Sequence, residues 1–280
     1  MKKVLIIGAA GMLGQYLAKI FTNEDLYLVD RDKLDIINPA AVLKLVRDLK
    51  PQVIINAAAY NAVDLAETDF VTAQQVNGYA VGSLAKAAKE VDAILIHYST
   101  DYVFDGEKEE GYVETDLPNP ISRYGQSKYL GEQELQENCD KYYLIRLSRL
   151  FGRVGDGVGV KESFVDKILK LTQNKSELEI IDEEVSSPTY AADLAEFTLA
   201  LLVKGEPFGI YHGANSGSCT WFGLAQEVAK IRGIDIRLIP VSGAKLARTA
   251  KRPRYSILLN TKFIPMRSWH EALAEYLNHV

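Results

Sequence analysis

Lys3-Val4-Leu5-Ile6-Ile7-Gly8-Ala9-Ala10-Gly11-Met12-Leu13-Gly14 decides the fold of this 280-residue chain. A short apolar run ends in glycines spaced GxxGxxG, and Gln15 to Phe21 follows with apolar residues at helical spacing. A second apolar run, Leu26 to Val29, comes next. The order is strand, glycine turn, helix, strand. Lys2-Lys3 with Val4 to Leu13 imitates a secretory signal, but the glycines interrupt it. Gly8, Gly11 and Gly14 permit a tight turn in which backbone N–H groups at a helix N-terminus approach a pyrophosphate. Asp30 ends the second run, where such folds place an acid on the adenosine ribose, although it also reads as a turn aspartate.

Outward from this unit the rhythm repeats. Gln52 to Asn56, Ala93 to His97 and Tyr142 to Ile145 are apolar runs, separated by helical patterns at Ala41–Leu49, Ala73–Lys89 and Ser127–Glu137. Strands alternating with helices predict an α/β fold, a doubly wound, Rossmann-like parallel sheet. We expect residues 1–160 to form the dinucleotide-binding domain, with its sheet completed by segments within 178–231. Residues 161–280 then form mainly a smaller C-terminal substrate lobe. Gly152 to Gly159 is expected to be mobile. Asn77, inside the Ala73–Lys89 pattern, is either a surface polar residue or a support behind the site, and the sequence alone favours the former.

Composition excludes other classes. The chain is 48% hydrophobic and 25% charged, the balance of a globular protein. Thirty-two basic against 37 acidic residues give net −5, so no overall field attracts nucleic acid. Cys139 and Cys219 make no disulfide framework, which points to the cytoplasm, and the four histidines have no metal-helix spacing. No apolar run is long enough for a membrane span.

Two further stretches carry chemistry. His97-Tyr98-Ser99-Thr100-Asp101 turns from an apolar strand to hydroxyls and a carboxylate at the sheet edge where ligands bind. Tyr124 and Lys128 sit one helical turn apart, although about one such Tyr-xxx-Lys pair is expected by chance in this composition. Reduction of a ketone by a nicotinamide needs a proton donor beside the carbonyl oxygen. Tyr124 can donate, Lys128 would favour the phenolate, and Thr100 would align the substrate oxygen. Asp101 either contacts substrate or positions the donor. Asn56-Ala57-Ala58-Ala59 reads equally as a cofactor edge or as close packing. Lys245 to Arg254 holds five cations and no acid, either a solvated face or a diphosphate site that includes Arg252. Trp221 is either core or a stacking platform. Asp30 favours NADH, while Arg31 beside it is placed to hold the 2′-phosphate of NADPH.

GxxGxxG, the Asn-Ala-Ala strand end, Ser99-Thr-Asp-Tyr-Val-Phe104 and Tyr124-Gly-Gln-Ser-Lys128 together resemble the extended short-chain dehydrogenase/reductases, and within them the dTDP-4-dehydrorhamnose reductase family. Val63-Asp64, Pro188-Thr189, Thr220-Trp221, Arg252-Pro253 and Leu259-Asn260-Thr261 extend the likeness along the chain. The resemblance implies NADH- or NADPH-dependent reduction of the 4-keto group of a nucleotide-linked 6-deoxyhexose. Gly11, Met12, Leu13, Asp30, Asp35, Ile36, Ala59, Tyr60, Asn61 and Tyr98 carry over as cofactor contacts. Thr100, Asp101, Tyr124 and Lys128 carry over as catalytic or substrate-contacting groups, Lys128 also on the nicotinamide ribose. A homodimer with Mg²⁺ at the subunit contact is implied without residues to name. Arg149 stands where the family commonly has tryptophan, and Glu184 and Ser186 where glutamine and glycine are usual, so Arg149 becomes a candidate substrate contact. The competing readings are an epimerase or dehydratase with bound NAD, and a non-catalytic dinucleotide-binding subunit.

Overall fold

The computed structural model describes residues 1–157 and 159–280. Its centre is a six-stranded parallel sheet of β1 (Lys3–Ile7), β2 (Asp25–Val29), β3 (Val53–Asn56), β4 (Ile94–Thr100), β5 (Tyr142–Leu147) and a sixth strand, Gly209–His212. From one edge the order is β2, β1, β3, β4, β5 and then the sixth strand. The chain therefore reverses direction between β1 and β3, and the carboxyl ends of those strands form the topological switch point.

Helices cover both faces, which explains why the strands are nearly continuous apolar runs. On one face α1 (Met12–Ile20) and the helix Ala191–Lys204 pack over Val4, Ile6, Ile55, Ile96 and Tyr98. On the other, α2 (Pro39–Leu49) and the helix Ala80–Glu90 pack over Leu5, Ile7, Ile54 and Leu95. Alternation of side chains along each strand divides the two cores. Helix α2 starts two residues before its apolar pattern because Asn38 caps it, accepting from the Ala41 N–H at 3.2 Å, and Pro39 has its φ preset for the first turn.

The predicted Ala73–Lys89 helix begins at Phe70 and contains a π-helical turn, Gln75–Tyr79. That turn meets the helix Arg123–Asn138, where a Cβ on Gly131 would lie 2.0 Å from the Asn77 carbonyl oxygen. Only a hydrogen fits there. One turn of helix from Lys128, Glu132 forms a fully buried two-point ion pair with Arg146 of β5, at 2.9 and 2.7 Å.

The remaining chain forms a core of its own, of Phe151, Val165, Ile168, Leu224, Val228, Leu273 and Tyr276. It is built by the helices Phe164–Thr172, Trp221–Arg232 and Trp269–Asn278. Ser163 and Asp166 cap the first of these reciprocally. Residues 191–212 lie with the main sheet, so the lobe is interrupted in sequence. A small sheet sets Val185–Ser186 between Cys219–Thr220 and Tyr255–Ser256. The Tyr255 N–H donates to the Gly106 carbonyl, which ties this small sheet to the segment beyond β4.

Candidate active site

The glycine turn forms the floor of the switch point. Gly8 has φ +79°, and a Cβ there would lie 2.8 Å from the Ala58 nitrogen. A Cβ on Gly14 would lie 2.1 Å from the Gly8 carbonyl oxygen. Any larger residue forces β1, α1 and β3 apart. Among the described residues no side chain caps α1, so its first N–H groups stay open to a pyrophosphate. The cradle fits a dinucleotide. Asp30 accepts the Ala10 N–H at 2.9 and 3.0 Å, so it braces the turn, and its remaining lone pairs can still take ribose hydroxyls. Arg31 and Asp35 are exposed beside it, while Ile36 is buried under α2. Gly157 donates its N–H to the Ala10 carbonyl, bringing the glycine-rich stretch onto the turn. Val158 of that stretch lies outside the described residues.

The edge at β3 is held from beneath. Asn56 accepts the Ala58 N–H at 3.2 Å and donates to His97 Nδ1 at 3.1 Å. Burial keeps His97 well below the usual histidine range, hence neutral. Asn77 is not a surface residue. It is 1% exposed, accepts the Tyr60 N–H at 2.8 Å, and donates to the Tyr60 carbonyl and to Ser127 Oγ, each at 3.0 Å. It therefore fixes the Ala59-Tyr60-Asn61 segment. A buried polar residue at a π turn was not legible from helical periodicity.

The proton chemistry gathers at the ends of β4 and β5. Ser122 caps the helix Arg123–Asn138, which puts Tyr124 in its first turn and Lys128 one turn on. Tyr124 is buried, edge-on to Tyr102, with its hydroxyl 3.5 Å from Asn61 Oδ1. Burial holds its pKa well above the usual phenol value, against the Thr100 hydroxyl, and Asp101 adds to the rise. Burial lowers the Lys128 ammonium to about 8, against the charge of Glu132. Lys128 Nζ donates to the Tyr98 carbonyl at 2.6 Å. The Tyr98 ring itself turns into the α1 core and bonds Thr198 at 2.8 Å, leaving only its backbone toward the site. Asp101 accepts from Thr100, Ser148 and Ser256, and burial raises its carboxyl against those three hydroxyls and Arg149.

On the lobe side, three residues expected to meet substrate already have partners within the protein. Arg252 is not a free phosphate cation: it forms a two-point pair with Asp64 at 2.6 Å to each oxygen, and the Ala250 N–H adds a bond at 3.0 Å. Arg149, at φ +42°, gives its guanidinium to the Cys219 and Glu184 carbonyls at 2.8 and 2.6 Å and stacks on Trp221 at 3.9 Å. Trp221 leans on Phe164 and donates to Glu184, which also accepts from Arg248. These groups staple the lobe to the end of β5 before they can serve a ligand. A cleft of about 540 Å³ opens beside them, lined by Asn61, Ala62, Val63, Asp64, Lys161 and Arg252. Asn61 joins it to Tyr124.

Among the described residues no three His, Cys, Asp or Glu side chains gather as a metal site, and no helix is long and apolar enough to cross a membrane. The RmlD substrate binding domain family matches residues 1–280. A dTDP-4-dehydrorhamnose reductase from Streptomyces griseus is 37% identical over 284 residues, covering 97% of this chain and 91% of its own. A dTDP-4-keto-6-deoxy-D-glucose reductase from Streptomyces niveus is 33% identical, covering 97% and 95%. The crystal structure of the dTDP-4-dehydrorhamnose reductase from Bacillus anthracis in complex with NADP superposes with a TM-score of 0.94 at 35% identity, covering 100% of this chain and 99% of that one. The glycine cradle, the Thr100–Tyr124–Lys128 constellation and full-length similarity agree: the chain belongs to the dTDP-4-dehydrorhamnose reductase family.

Proposed function

We propose that this protein reduces the 4-keto group of dTDP-4-dehydrorhamnose to give dTDP-L-rhamnose, using NADH or NADPH. The observation that carries this reading is the placement of Thr100 at the carboxyl end of β4 with Tyr124 and Lys128 one turn apart on the helix packed beside it, Tyr124 reaching the cleft through Asn61. Gly8 to Gly14, Asp30 and the Ala59–Asn61 segment would hold the coenzyme, which when bound supplies a hydride to the carbonyl carbon.

The side chains supply the proton and the alignment. Burial keeps the Tyr124 phenol protonated at neutral pH, loaded to donate its Oη proton to the substrate oxygen. Thr100 Oγ1 gives that oxygen a second hydrogen bond, fixing the carbonyl plane. Lys128, one helical turn from Tyr124, would supply a cation on that helix face as negative charge develops on the phenol. Asn77 keeps the Tyr60 backbone, and with it Asn61, at a constant distance from Tyr124. Arg31, exposed next to Asp30, supports acceptance of NADPH as well as NADH.

The test follows reduced-coenzyme absorbance with purified protein and dTDP-4-dehydro-6-deoxy-L-mannose, and identifies the product. Stoichiometric oxidation yielding dTDP-L-rhamnose is expected, with NADH and NADPH both consumed. Tyr124→Phe is expected to turn over at least about tenfold more slowly with coenzyme binding kept. Product formed without net coenzyme loss would replace the reductase by an epimerase. Oxidation only with dTDP-4-keto-6-deoxy-D-glucose would keep the chemistry and change the sugar.

A further inference from the structure

Three hydroxyls converge on one carboxylate. Thr100 donates to Asp101 Oδ1 at 3.0 Å, while Ser148 and Ser256 donate to Oδ2 at 2.9 and 2.6 Å. All four side chains are buried, none more than 6% exposed. They come from separate places: the end of β4, the residue after β5, and the small sheet of the lobe.

A hydroxyl carries one proton. In this arrangement the Thr100 proton lies on Asp101, with the Tyr124 phenol its other neighbour, and is withheld from any substrate oxygen. Thr100 Oγ1 also accepts the Tyr102 N–H at 3.2 Å, so its oxygen is anchored and only the direction of its proton can change. Turning that proton toward a ligand strips Asp101 Oδ1 of its donor. A buried carboxylate left without donors bears its full desolvation penalty, but one that keeps two does not.

We infer that Ser148 and Ser256 are positioning residues that keep Asp101 hydrogen-bonded while the Thr100 hydroxyl turns from Asp101 to the substrate carbonyl oxygen. The inference rests on the reductase reading above. Neither serine touches the reacting atoms; both act through Asp101. Ser256 also makes the turn conditional on the lobe, since Tyr255–Ser256 pairs with Val185–Ser186 and follows the basic segment directly.

The first experiment needs no substrate. Thr100→Val is introduced into the wild-type protein and into Ser148→Ala/Ser256→Ala, and the four unfolding equilibrium constants are measured in urea. In the wild type the loss of Thr100 leaves Asp101 two donors, and a change of about fivefold or less is expected. In the double variant it removes the last hydroxyl donor, and a change of at least about fiftyfold is expected. Equal changes in both backgrounds would overturn the inference. If the double variant does not fold, Ser256→Ala serves as the background and must show coupling of the same sign.

The second experiment reads turnover. Ser148→Ala/Ser256→Ala is expected to lower kcat at least about tenfold while the Kd for coenzyme stays put, and Ser148→Thr/Ser256→Thr is expected to restore much of it. Unchanged kcat, or kcat and coenzyme affinity falling together, would overturn the positioning role. A wild-type protein that reduces no nucleotide sugar would remove the reductase reading alone, because the unfolding cycle still decides whether the serines release Thr100.

Discussion

Asp101, buried at the end of β4, and Asp64, in the wall of the cleft, are held in opposite ways. Asp101 is 3% exposed and takes its hydrogen bonds from three neutral hydroxyls, with Arg149 the charge nearby, and burial pushes its carboxyl up against all four. The Asp64 side chain is 44% exposed and gripped by the Arg252 guanidinium, which holds its carboxyl well below the usual range. Bond lengths barely differ, 2.6 Å to Ser256 and 2.6 Å to Arg252. The charge of the donor and access to water decide the protonation state, not the distance. A neutral cradle leaves a carboxylate that can trade a proton's direction with Thr100. A charged grip yields a fixed strap across the cleft.

The sharpest break is Asp101→Leu, which leaves the Thr100, Ser148 and Ser256 hydroxyls buried without their acceptor. At about 1–3 kcal/mol for each stranded group, urea unfolding should show a loss of several kcal/mol, and turnover should fall about a hundredfold. A loss below about 1 kcal/mol would mean that the cradle contributes little to stability.

Lys128 brings a buried charge of the other sign into the comparison. Because burial lowers it to about 8, kcat/KM should be level at acid and neutral pH and fall about tenfold per unit above pH 8. A pH–rate profile of the free enzyme checks this. A profile level to pH 10 would place the ammonium outside the catalytic step.

Asp64→Ala tests the strap. Its stability cost should be about 1–3 kcal/mol, because Arg252, 10% exposed, and the Ala250 N–H lose their acceptor, while KM for the nucleotide sugar rises about tenfold with kcat near wild type. A fall in kcat at constant KM would move the pair into the chemistry.

The smallest effect is a difference of slope. Asp64 is depressed in the folded protein, so its contribution is present above the unfolded carboxylate pKa and is lost as pH falls. Asp101 is raised, so its ionisation weakens the fold as pH rises past the unfolded value. Relative to wild type, Asp64→Asn should lose stability from pH 3 to pH 6 and Asp101→Asn should gain it. Unfolding curves at those pH values decide this, and parallel slopes would erase the contrast.

Legibility follows the reach of the interactions. The glycine turn, the alternating strands and helices, and the Tyr124–Lys128 spacing are local, set by backbone sterics and side-chain period. Their positions could be read directly, to within a few residues at helix ends. Asn77 could not, because its burial comes from Gly131 on a helix 54 residues later, whose missing Cβ lets the two backbones touch. Ser148 offered only a weak signal, a hydroxyl one residue past a strand. Ser256 offered none, lying 155 residues from the carboxylate it serves.

By itself the sequence determined a doubly wound sheet, a dinucleotide turn at its first switch, and a threonine, tyrosine and lysine suited to ketone reduction. Each rests on local patterns of residue type and spacing that can be read one stretch at a time. Only the tertiary structure decided what the charges do: that Arg252 closes on Asp64 across 188 residues, that Arg149 staples the lobe, and that Asp101 is shared by three hydroxyls. Pairing and burial are properties of space, and spacing along the chain carries no measure of them.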